Sequence, residues 1–211
     1  MRALSIAAVC TTLGVLAVSA TTAGIPSPAN STIPTHIHVV GRYGTQPDTA
    51  AGRFVVVARD LANNPIPGSS IVVDFSANPD VRLSSDPLDP SLTVNCAQHT
   101  VRAYTNVRGE AFFTIVGAGT LTPQGSTFAT TRIFQDGMLL GTVPTSVYDL
   151  DATGGLGAND LSMWMSDFGG GTNPLRGDYD ASGFVGANDL SVWLNTFGQA
   201  ASSQSAPLGC P

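Results

Sequence analysis

Residues 149–169 and 178–198 are two copies of one segment. Asp149-Leu-Asp-Ala-Thr-Gly-Gly-Leu-Gly-Ala-Asn-Asp160 returns 29 residues later as Asp178-Tyr-Asp-Ala-Ser-Gly-Phe-Val-Gly-Ala-Asn-Asp189, and thirteen of the 21 aligned positions are identical. A duplication this dense means that one folding unit is built twice. Beyond each Asp/Gly run the chain turns apolar. Leu161, Trp164, Met165 and Phe168 fall at i, i+3, i+4 and i+7, as do Leu190, Trp193, Leu194 and Phe197. The pattern predicts two helices, each burying that stripe, opened by Asp160 and Asp189 at the positive end of the helix dipole and stopped by Gly169 and Gly198.

The Asp/Gly runs have the spacing of a twelve-residue calcium loop, which draws oxygen ligands from positions 1, 3, 5, the carbonyl of 7, and 12. In the first copy these are Asp149, Asp151, Thr153, Gly155 and Asp160; in the second they are Asp178, Asp180, Ser182, Phe184 and Asp189. Position 6 turns with positive φ and holds Gly in both copies, Gly154 and Gly183. Leu156 and Val185 at position 8 are expected to point into a core. Three carboxylates per loop repel one another unless a divalent cation lies between them. A flexible ring of oxygens suits Ca2+ better than the strict octahedron of Mg2+, so two Ca2+ ions are expected. A hydroxyl at position 5 and Gly at position 9 (Gly157, Gly186) point to micromolar or weaker binding.

No helix can lead into either loop. Pro144, Pro174 and the glycines around them deny it. Paired loop-plus-exit-helix units of this kind, spanning residues 147–198, resemble the dockerin module of extracellular bacterial proteins. The resemblance implies a calcium-binding module that docks onto a cohesin-like protein on a scaffold or cell surface. It further implies that loop positions 10 and 11, Ala158 and Asn159 with Ala187 and Asn188, read the partner; being the same in both copies, they permit two orientations related by a half turn.

Upstream the pattern is different. Charged residues make up only 11% of the 211-residue chain, against 23 Gly and 14 Pro, a balance that favours short strands and turns. Alternating segments rich in Val, Ile, Phe and Thr predict strands over 35–43, 53–59, 70–75, 92–95, 100–104, 111–116, 127–134 and 139–143. Turn residues such as Asn63-Asn-Pro-Ile-Pro-Gly68 and Gln135-Asp-Gly137 separate them, a spacing expected of an antiparallel β-sandwich. Arg53-Phe-Val-Val-Val-Ala-Arg-Asp60, Ile71-Val-Val-Asp-Phe75 and Thr105-Asn-Val-Arg-Gly-Glu-Ala111 resemble the bacterial immunoglobulin-like domains of invasin type. The expected class is therefore mainly β: an immunoglobulin-like sandwich over 35–145, then the small helical dockerin-like module.

Met1 and Arg2 precede an apolar run ending at Val18-Ser-Ala20, which reads as a secretory signal over 1–20, so the mature chain is expected outside the cell with no membrane span. Residues 21–34 read as a linker and 199–211 as a flexible tail. In an oxidising compartment Cys96 and Cys210 can pair, or stay apart as a buried and a loose thiol. Between Ser146 and Gly198 stand seven Asp and one Arg, and the rest of the chain balances, so the whole net charge of −6 sits in the duplicated part. With no Lys and an acidic balance, a nucleic-acid partner is excluded. Catalysis has few candidates. His36 and His38 share a strand face and could grip a metal with His99, Glu110 is the one Glu, and no nucleophile elbow or phosphate loop is present. The expectation is a protein without catalytic activity; a stalk whose C-terminus calcium stiffens, and a polysaccharide-binding or polysaccharide-degrading accessory protein, are the rival readings.

Overall fold

The computed structural model describes residues 24–120, 130–170, 176–198 and 205–210. The signal segment and residues 127–129 of an expected strand lie outside them. The alternating segments form β1 (Ile37–Val40), β2 (Arg42–Tyr43), β3 (Gln46–Pro47), β4 (Arg53–Val57), β5 (Ser70–Asp74), β6 (Arg82–Leu83), β7 (Thr93–Asn95), β8 (Thr100–Tyr104), β9 (Glu110–Ala118), β10 (Thr131–Gln135), β11 (Met138–Val143) and β12 (Thr145–Val147). One helical turn, α1 (Thr49–Gly52), is capped by the Asp48 carboxylate. The duplicated part supplies α2 (Ala158–Asp167) and α3 (Ala187–Gly198).

Two five-stranded sheets carry the β part. The first runs β12-β1-β9-β4 with β6 on the end of β9, the second runs β11-β10-β5-β8-β7, and β2 and β3 form a small separate ribbon. The second sheet is antiparallel throughout, as expected. The first is not, because β1 runs parallel to both β9 and β12. Pro144 explains part of this. β11 pairs with β10 up to Val143; Pro144 has no N–H to extend that ladder, its carbonyl accepts from Ile37, and Thr145–Val147 fall in beside β1.

Residues 24–34 are not a free linker. They lie along β4, where Thr32 and Val57 exchange two N–H···O bonds of 2.9 Å and Ser27 N–H donates to the Arg59 carbonyl. An edge strand leaves such groups unpaired, and this segment satisfies them. Nor is the C-terminus loose over 205–210: Cys210 is bonded to Cys96, with 4.8 Å between their Cα atoms, and the Ser84 hydroxyl donates to the Pro207 carbonyl at 2.6 Å.

Ile37, Val39, Val56, Phe113 and Ile115 of the first sheet and Ile71, Val73, Val101 and Ile133 of the second are buried in one cluster. Tyr148, Leu150, Leu156, Trp164, Tyr179, Val185 and Trp193 belong to the same cluster, so the duplicated segment shares the core of the strands. The helices begin at Ala158 and Ala187, two residues before the expected Asp160 and Asp189. Their buried line also differs from the expected stripe. Asp160, Trp164 and Asp167 face inward, as do Asp189, Trp193 and Thr196, whereas Met165, Phe168, Leu194 and Phe197 are about half exposed. The loop sets this rotation. Once the position 12 carboxylate turns in toward its loop, residues four and seven further on follow it, and those five and eight further on turn about 100° away. Among the described residues no helix is long and apolar enough to cross a membrane.

Candidate metal centre

Strand β12 leads without a break into the first loop. The Gly119 N–H, just past β9, donates to the Asp149 carbonyl at 2.6 Å, and a Cβ at Gly119 would lie 2.9 Å from the Leu150 oxygen. The backbones of sheet and loop therefore touch directly. The second loop is held by the Val147 N–H on the Arg176 carbonyl at 3.0 Å and by the Tyr179 hydroxyl on the Val147 carbonyl at 3.0 Å.

In each loop the three carboxylates predicted from the spacing come together. Asp149, Asp151 and Asp160 each place an oxygen within 4.8 Å of the others, and so do Asp178, Asp180 and Asp189. Position 12 organises both loops in the same way. Asp160 Oδ1 accepts from Leu150 N at 2.6 Å and its Oδ2 from Gly157 N at 2.8 Å; Asp189 Oδ1 accepts from Tyr179 N at 2.6 Å and its Oδ2 from Gly186 N at 2.8 Å. Gly154 and Gly183 take the positive φ expected at position 6, 76° and 94°. So do Ala152 and Ala181 at position 4, at 61° and 58°, a strained choice for residues with a Cβ that nothing in the sequence signals.

The remaining expected ligands are placed less uniformly. Thr153 is exposed and its N–H donates to Asp151 Oδ1 at 2.8 Å. Gly155 is buried with φ 74°. The Ser182 hydroxyl is 3.2 Å from the Phe184 carbonyl, which sets positions 5 and 7 of the second loop side by side. Ala158, Asn159, Ala187 and Asn188 are all exposed, and from these residues to Phe168 and Phe197 the two helices repeat the same order of buried and exposed positions.

Electrostatics single out Asp149. It is 1% exposed, neither carboxylate oxygen has a well-formed hydrogen bond, and burial beside the charges of Asp160 and Asp151 pushes its pKa up to about 7. Burial also raises Asp160 and Asp178, while the hydrogen bond from Ser182 holds the exposed Asp180 down. A buried carboxylate so poorly hydrogen-bonded is costly, and a cation among the three oxygens would remove that cost. The donor set, all hard oxygen, fits such an ion, and each cluster could hold one.

The three His do not gather with the acids into a metal group among the described residues. His36 and His38 touch at 4.7 Å between ring centroids, but His38 is bonded through Nδ1 to the Ala51 carbonyl and through Nε2 to the Tyr179 carbonyl, at 3.1 and 3.0 Å. His99 Nδ1 is 3.0 Å from the Phe75 carbonyl. Glu110 accepts from Asn106 in a turn. Beside the second loop, Thr35, His36, Arg53, Phe54 and Asp180 line a cleft of about 370 Å3. Sequence reasoning also missed the pair between Arg176 and Asp167, buried at 2.5 Å, which ties α2 to the start of the second loop. The chain matches no protein-family model, no curated protein and no solved structure.

Proposed function

We propose that the protein is a secreted, non-catalytic calcium-binding protein whose duplicated loops hold two Ca2+ ions. In this reading α2 and α3 present a dockerin-type surface, Ala158, Asn159, Ala187 and Asn188 with the half-exposed apolar residues Met165, Phe168, Leu194 and Phe197 further along each helix, to a cohesin-like protein or cell-surface scaffold. The strands form an immunoglobulin-like unit carried by that attachment. The observation that carries the reading is the pair of three-carboxylate clusters on repeated loops, one of them with a buried carboxylate that has no well-formed hydrogen bond in the protein. Seven-coordinate calcium tolerates the hydroxyl and carbonyl ligands that complete each ring.

One observation favours a second reading, a stalk end that calcium stiffens without any docking partner. Tyr148, Leu150, Tyr179 and both Trp share the core of the strands, so metal in the loops would brace the β part itself. Titration of the full chain with Ca2+ tests the shared premise: two ions are expected, and none after Asp149→Ala with Asp178→Ala. Purified cohesin domains, offered with Ca2+ and with EDTA, then separate the readings. Calcium-dependent capture supports docking; a calcium-dependent gain in melting temperature with no capture supports the stalk.

A further inference from the structure

The loops differ in how their first carboxylate is supported, and we infer that the first loop carries the chain's structural dependence on metal while the second keeps its shape in chelator. This rests on the calcium reading above. In the second loop Asp178 is held by the protein: Oδ1 accepts from Ser182 N at 3.0 Å, an N–H it shares with Asp180 Oδ1, and Oδ2 accepts from Gly183 N at 2.8 Å. In the first loop the matching N–H of Thr153 goes to Asp151 alone, and neither oxygen of Asp149 has a well-formed hydrogen bond, the Ala152 N–H lending only looser support.

The cause lies at position 7. Gly154 and Gly155 at positions 6 and 7 are both left-handed, at 76° and 74°, whereas at these positions in the second loop only Gly183 is, because Phe184 carries a Cβ that resists that region. Two consecutive left-handed residues give the first loop a different backbone course, and the amides of Thr153 and Gly154 do not close on Asp149 as those of Ser182 and Gly183 close on Asp178. A buried carboxylate flanked by two others, with no amide closing on it in good geometry, is poorly held in place unless a cation lies among the three. Asp178 is better held, because its hydrogen bonds replace part of the lost hydration.

The first loop is also the one built into the sheet. Asp149 accepts from Gly119, and Leu150, the next residue, is fully buried in the shared core. Disturbing it reaches β9 directly. The second loop has its position 3 and position 7 side chains at the surface, with Phe184 57% exposed.

The test uses the full chain, its melting temperature in excess Ca2+ and in EGTA, and calorimetric Ca2+ stoichiometry. Asp178→Asn is expected to lose one ion and keep most of the calcium-dependent shift in melting temperature. Asp149→Asn is expected to lose one ion and most of the shift. Phe184→Gly, a change at an exposed position, is expected to enlarge the shift by making the second loop metal-dependent. If the wild type binds no Ca2+, the calcium reading itself fails. If it binds two ions but the shift divides equally, or follows Asp178, the inference is overturned and the calcium reading stands. Should Asp149→Asn not fold, an unchanged shift in Phe184→Gly overturns the inference alone.

Discussion

Tyr148 and Tyr179 lie face to face, with ring centroids 4.7 Å apart and planes 9° from parallel. Tyr148 directly precedes the first ligand of one loop and Tyr179 directly follows the first ligand of the other, so the stack clasps the two loops at their entrances. His38 meets both rings edge-on, at 5.6 and 6.1 Å, and joins the clasp to β1. Removing the ring in Tyr179→Ala is expected to cost about 3–5 kcal/mol. Tyr179→Phe, which gives up only the hydroxyl bond to Val147, is expected to cost about 1–2 kcal/mol. Urea denaturation measures both, and equal losses would mean that the stack contributes nothing.

The bond between Cys96 and Cys210 spans 114 residues of sequence, a long closure that strongly restricts the unfolded chain. Replacing both by Ser is expected to lower stability by about 4–5 kcal/mol on the chain-entropy account. Denaturation of that variant beside the oxidised wild type gives the difference.

His36 is expected to make the protein acid-sensitive. Burial, with the neighbouring His38, lowers its pKa from 6.5 to about 3, so the folded protein holds it neutral where the unfolded chain takes up a proton. Its contribution is complete above pH 6.5 and is lost as pH falls toward 3, at about 1.4 kcal/mol per pH unit. The stability profile of His36→Gln, set against the wild type, should be flatter across that window; parallel profiles would refute the assignment.

Ala152 and Ala181 hold left-handed backbone at a cost Gly does not incur. Ala152→Gly and Ala181→Gly are each expected to raise stability by up to about 1 kcal/mol, read as a higher melting temperature in Ca2+. A loss in either variant would place the strain elsewhere.

Much of the molecule could be read before the structure. Strands at 53–57, 70–74 and 100–104 follow from alternation, and the acidic clusters follow from ligand spacing, because a twelve-residue loop with Gly at position 6 brings positions 1, 3 and 12 together by its own geometry. β3, β6 and β12 escaped notice, since two or three residues cannot display a period. The fusion of the loops with the strands was invisible for a related reason: Leu150 and Tyr179 are single apolar residues between Asp, and only the tertiary fold buries them. The helical stripe was legible as periodicity but not as orientation, because the inward turn of Asp160 and Asp189 decides which line faces the core. Whether Cys96 and Cys210 meet depended on where the C-terminal residues return, which no spacing encodes.

The bridge from Cys96 to Cys210 encloses both acidic loops and both helices in a covalent ring. A protease that cuts one peptide bond inside that ring opens the polypeptide without releasing a fragment. The nicked molecule would travel as one species until a reductant parted its two pieces.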